Sequence, residues 1–212
     1  MRSPFADSER DRLIAALLPD VAFDGWSRHS LRMAAGRAGI PVGEAMALFP
    51  RGAPDMVAAF SRWADRQMLD RLEVTPVEPI SLSRRVALAL RLRFEVLTPW
   101  REAVRRGLAV LALPQNAPLG LRLLYETVDG LWYGVGDSST DFSFYTKRAT
   151  LAGIYAAAVL YWLDDRSPGA IATDEFVERR LADLHRLTEF RQRLEAAADR
   201  LPNPLRLLRR SR

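Results

Sequence analysis

The sequence predicts an all-α fold, a helical bundle opened by a helix-turn-helix and closed by an amphipathic C-terminal helix. Proline- and glycine-rich breaks cut the chain into helical lengths. Between them apolar residues recur at three- and four-residue spacing, and no run alternates with the period of a strand. With 212 residues, 49% of them hydrophobic, the chain can bury a full core and suits one globular unit.

Ser8 stands where it could cap a first helix through Leu18, with Leu13, Ile14, Leu17 and Leu18 on one stripe and a break from Pro19 to Ser30. The stretch from Ser30 to Pro50 then reads as a helix, a turn at Gly39 and a short helix. Its shape resembles the front end of TetR-type regulators, including the Phe49-Pro50 that closes the second helix. A helix that reads DNA carries donors for phosphates and base edges near its start. Val42 to Leu48 offers no donor side chain and one carboxylate, Glu44, which would face a polyanion. The motif therefore reads as a packing unit and not as a nucleic-acid reader. Arg28, Arg32 and Arg37 lie close by and keep an alternative open, a TetR-type ligand-responsive transcriptional regulator.

Helices are expected at Ala53 to Leu72, where Met56, Val57, Phe60, Trp63 and Ala64 share a face, and at Leu82 to Leu97, Pro99 to Leu113 and Leu119 to Tyr133. Their arginines read as solvated faces whose stems cover apolar surface. The longest apolar run, Ala149 to Leu163, is bounded by Lys147-Arg148 and Asp164-Asp165 and is too short to cross a bilayer. Apolar on every side, it reads as a buried central helix. Its small residues, Ala152, Gly153, Ala156, Ala157 and Ala158, either let neighbours pack closely or leave an apolar channel, and tight packing is the expectation.

After Ser167-Pro168-Gly169 a helix from about Asp174 places Leu181, Leu184, Leu187, Phe190 and Leu194 on one stripe. The net charge of +5 resides at the C-terminus, where residues 191–212 hold seven arginines against Glu195 and Asp199. A basic amphipathic helix lies readily on an anionic membrane surface. The expected division is a helix-turn-helix subdomain over 1–50, a bundle over 51–188, and a basic helix and tail over 189–212.

The sequence holds no cysteine, which fits a reducing compartment. The first ten residues have no apolar signal core and carry early acids. Together these point to a bacterial cytosolic protein, and the basic C-terminal helix to peripheral association with the inner membrane. His29 and His185 lie far apart and neither begins a Glu-x-x-His element, so no helical di-iron site is expected. Phosphate-cradling loops and a nucleophile elbow are absent too. The acid pairs Asp137 with Asp141 and Asp164 with Asp165 read as helix caps. No cofactor, no metal and no enzymatic activity are expected.

The most specific stretch is Leu131-Trp-Tyr-Gly-Val-Gly-Asp-Ser-Ser-Thr-Asp-Phe-Ser-Phe-Tyr-Thr-Lys-Arg148, five aromatics around a polar turn. One helix stops at Gly134 to Gly136, and Ser139 or Thr140 can cap the next. On the residues alone two readings stand level, a well-capped hairpin with aromatics in the core, or an exposed apolar cluster beside Arg148 where a partner docks. With the preceding Leu113-Pro-Gln-Asn-Ala-Pro118 and the following Leu151-Ala-Gly-Ile-Tyr155, this string resembles the signature of the Coq-nine family of coenzyme Q (ubiquinone) biosynthesis proteins.

The resemblance implies a non-enzymatic lipid binder with a TetR-like fold, homodimeric, holding an isoprenoid quinone precursor. It further implies that this precursor is presented to the demethoxyubiquinone hydroxylase at the membrane. By position, Leu131, Trp132, Phe144, Tyr145 and Arg148 would form the lipid- and partner-binding patch, and Asp137 and Asp141 would shape the turn. Phe144 stands where the family's pattern has tryptophan. The regulator reading, and a scaffold that binds the hydroxylase without lipid, remain as the other two.

Overall fold

The computed structural model describes residues 4–75, 80–136 and 143–183; the described side chains begin at Ser8 and, in the third segment, at Arg148. Helices α1 (Pro4–Asp24), α2 (Arg28–Ala38), α3 (Val42–Leu48), α4 (Ala53–Val74), α5 (Leu82–Leu97), α6 (Arg101–Leu111), α7 (Ala117–Gly134) and α8 (Ser143–Asp164) follow in order. A further helix, α9, occupies 171–183. Among the described residues there is no strand. One apolar core runs from Leu13 and Ile14 through Met56, Leu90 and Leu131 to Trp162 and Leu181.

Local sequence explains most helix ends. Ser27 accepts from the Ser30 backbone N–H at 3.1 Å and so caps α2. Gly39, at φ +65°, ends it in a left-handed turn, and the Ile40 N–H reaches back to the Ala35 carbonyl. At the start of α9, Asp165 accepts from the backbone N–H and hydroxyl of both Ser167 and Thr173. Burial would raise the Asp165 carboxyl, but these four hydrogen bonds outweigh it and hold the pKa at about 2. The capping role expected for the Asp164 and Asp165 pair thus belongs to Asp165.

Five expectations need correction. Ser8 does not cap α1, which starts at Pro4 and does not break at Pro19 but runs through it to Asp24. Proline removes the N–H that the Ala15 carbonyl would accept and disturbs that turn. Leu17, Leu18 and Val21 hold the helix in the core through this turn, and next to it Arg37 donates to the Ala16 carbonyl at 2.8 Å and pairs with Asp20. The last helix starts at residue 171, three residues before Asp174, because the Asp165 cap reaches Thr173.

Helix α8 is not buried all round. Leu151, Ile154, Tyr155, Ala158 and Trp162 face the core, whereas Ala149, Gly153, Ala156, Ala157 and Leu160 are exposed. Alanine and glycine read as apolar in a hydropathy pattern but have little surface to remove from water, so exposing them costs little. The small residues of α8 and its neighbours also do not all pack tightly, since Ala156 lines a cavity.

Candidate functional site

That cavity, about 460 Å³, lies between α4, α5, α6, α7 and α8. Its walls are apolar: Val57 and Phe60 from α4, Leu97 from α5, Val104 and Leu108 from α6, Leu123 and Leu124 from α7, and Val159 from α8. Gly107, Ala112, Gly120 and Ala156 are too small to fill the space. The exposed lining residues are Ala112, Ala156 and Leu160, the last 62% exposed, so the opening has an apolar rim.

Polar lining groups lie on the buried side. Arg93 of α5 is only 3% exposed and donates through Nε to Asp65 of α4 at 2.8 Å. Its Nη2 donates to Ser61 Oγ at 3.3 Å and Thr127 Oγ1 at 3.4 Å, and the Thr127 hydroxyl bonds back to Asp65 at 3.1 Å. The guanidinium lies 5.1 Å over the Tyr155 ring. Burial alone would weaken the Arg93 cation, but Tyr155 and Asp65 beside it outweigh that and raise its pKa. Burial pushes the Tyr155 phenol up to about 12, so it remains a hydroxyl donor at neutral pH.

The expected site residues are placed differently. Leu131 and Trp132 belong to the core, and Arg148 is buried and donates to Asp129 of α7 at 2.8 Å. These three do not line the cavity, and they are enclosed where an exposed patch was one reading. Enclosure follows from α7 and α8 packing directly on one another, which turns that end of the signature inward. Phe144 and Tyr145 fall in the first turn of α8, and their side chains lie outside the described residues, as do Asp137, Ser139, Thr140 and Asp141.

Sequence reasoning missed Arg93, Ser61, Thr127 and Tyr155. A signal for Arg93 was present: Val86, Leu90, Arg93 and Leu97 share one helical face, and a charge at a core position within such a stripe marks a buried partner.

The helix-turn-helix shows a different surface. The exposed residues of α3 are Val42, Gly43, Glu44 and Ala47, one carboxylate and no donor side chain. Of the nearby arginines, Arg28 donates to the Pro50 carbonyl at 3.3 Å and Arg37 to Ala16 and Asp20, whereas Arg32 is exposed. Among the described residues no group of three metal-ligating side chains gathers, and no helix is long and apolar enough to cross a membrane.

Comparison with known proteins agrees with this architecture. A TetR transcriptional regulator from Nitrosomonas europaea superposes with a TM-score of 0.65 over 82% of this chain and 95% of its own, at 19% identity. The fold is therefore TetR-like. Residues 117–188 match the COQ9 family model. The ubiquinone biosynthesis protein COQ9, mitochondrial, of Drosophila melanogaster is 32% identical over 182 residues, 82% of this chain and 55% of that protein. The human protein of the same name is 31% identical over 179 residues, 81% of this chain and 56% of its own length. The chain thus spans a little over half the length of these curated relatives. The signature and the family model both fall on α7 and α8, the relatives extend the similarity over 82% of the chain, and within a TetR-like fold the chain is similar to the COQ9 proteins.

Proposed function

We propose that this protein serves ubiquinone biosynthesis as a non-enzymatic lipid-binding accessory. It takes an isoprenoid quinone precursor from the membrane and presents it to the demethoxyubiquinone hydroxylase. The observation that carries the reading is the 460 Å³ cavity, apolar along its walls and rim, in a chain whose relatives are named for ubiquinone biosynthesis. Lipid pockets are concave and mostly apolar with few polar groups that fix orientation, and this one has that composition.

The basic stretch over 191–212 supports peripheral attachment to the bacterial inner membrane from the cytoplasmic side, because anionic headgroups attract clustered arginines. The same reading takes the protein as a homodimer, supported by the outward face of α8, where Ala149, Gly153 and Ala157 would let a second helix approach closely. It excludes DNA as a partner on the strength of the donor-free surface of α3.

Lipid extraction from the purified protein followed by mass spectrometry tests the reading. A quinone or prenyl lipid at near-stoichiometric amount is expected, and a preparation free of any lipid would refute it. In a gel shift with the gene's own upstream DNA at moderate salt, no sequence-specific complex is expected; a specific complex would favour the regulator.

A further inference from the structure

We propose that the buried side of the cavity is a recognition site for a neutral hydrogen-bond acceptor, so that a prenylated quinone enters ring-first with a ring oxygen against Arg93, Ser61 and Tyr155. The prenyl chain then leaves along the apolar walls past Ala112 and Leu160. This rests on the reading of the cavity as a quinone-lipid site.

Four observations lead to it. First, the polar groups and the opening are separated: Arg93, Thr127 and Tyr155 are buried, whereas the exposed lining residues Ala112, Ala156 and Leu160 are all apolar. A cavity meant for hydrocarbon alone would not need a guanidinium, whose removal from water is costly even when paired.

Second, the groups facing the cavity are donors. Arg93 Nη1 has no acceptor among the described residues, and the same holds for the hydroxyl of Tyr155. Ser61 accepts from Arg93, which leaves its own proton available to a ligand. The one strong acceptor, Asp65, is not part of the lining and is engaged by Arg93 and Thr127. A ligand therefore meets donors and must bring the acceptor.

Third, charge decides between acceptors. Arg93 and Asp65 form a neutral pair, so a phosphate or carboxylate here would add an uncompensated buried charge. A carbonyl or methoxy oxygen adds none. Fourth, size fits: a cavity of about 150 Å³ holds one benzene ring. At 460 Å³ this one holds a substituted ring and a short run of prenyl units, so a long tail must pass out over the rim.

The test uses the full chain and three probes offered in phosphatidylcholine vesicles, each quantified on the re-isolated protein: a ubiquinone with two prenyl units, the hydrocarbon farnesene, and oleate. The wild type should retain the quinone over farnesene by about tenfold, the worth of one or two buried hydrogen bonds. The double variant Ser61→Ala, Tyr155→Phe keeps the Arg93–Asp65 pair and should fold; it should lose quinone severalfold and leave farnesene unchanged. Arg93→Met paired with Asp65→Leu removes the site without stranding a charge and should abolish the preference. Equal retention of quinone and farnesene by the wild type would overturn ring-first recognition while leaving lipid binding intact. Preference for oleate would overturn the neutral-acceptor assignment. Retention of none of the three would overturn both this inference and the lipid-binding function.

Discussion

Arg148 of α8 donates to Asp129 of α7 across 2.8 Å, joining the two helices that carry the family signature. Arg148 is buried and Asp129 is about half exposed at 47%, so water screens one side of the pair. A double-mutant cycle of Arg148→Met and Asp129→Ala should give a coupling of about 0.5–1 kcal/mol in urea unfolding. Arg148→Met alone should cost more, about 1–3 kcal/mol, since it strands polar partners in a packed region. A coupling of zero would mean the pair does not fasten α8 to α7.

The Arg93–Asp65 pair should behave differently because both partners are enclosed. Asp65→Ala leaves Arg93 buried without its carboxylate and should destabilise by about 3–5 kcal/mol. Replacing both by leucine and methionine should recover most of that loss. If the single variant were as stable as the wild type in denaturant unfolding, water would have to reach Arg93 from the cavity and solvate it.

Gly39→Ala separates conformational cost from packing cost. A Cβ there meets nothing within 4 Å, so only the left-handed φ of +65° opposes it. The expected loss is about 1 kcal/mol, read as a lowered denaturant midpoint with an unchanged slope. A loss of several kcal/mol would show that the α2–α3 turn depends on more than its backbone.

Asp165 sets the acid limit of the α8–α9 junction. Its folded pKa of about 2 lies below the ordinary value of about 3.9, so its stabilising contribution is present above the ordinary value. It is lost as pH falls from about 4 toward 2. Asp165→Asn should flatten that part of the stability-versus-pH curve and lower stability at neutral pH by about 1 kcal/mol, typical of a helix cap. Unchanged acid sensitivity in the variant would assign the transition to other carboxylates.

The helices were legible because their apolar stripes and caps are local: α5 has the bounds the pattern gives, and Gly39 ends α2 as its chemistry requires. Pro19 misled because the burial of Leu17, Leu18 and Val21 in the core carries the helix through it, which no local rule contains. The signature could be recognised, but whether Leu131, Trp132 and Arg148 face outward depends on how α7 meets α8. The cavity was hardest to foresee, since Gly107, Gly120 and Ala156 come from three helices, Ala112 from the turn after α6, and they matter only together.

Ala156 gives the sharpest test of the cavity as a lipid site. It is exposed and lines the opening, so Ala156→Phe should place a ring at the entrance without disturbing the core. Stability should change by no more than about 0.5 kcal/mol, as for most surface substitutions. Lipid recovered from the purified variant should fall by more than half. Its neighbour Ala157 is also exposed on α8 but does not line the cavity, so Ala157→Phe adds the same ring to the same helix turn and should keep its lipid. Equal lipid content in both variants would place the bound lipid elsewhere, whereas loss in both would point to the outward face of α8, and not the cavity, as the surface that holds it.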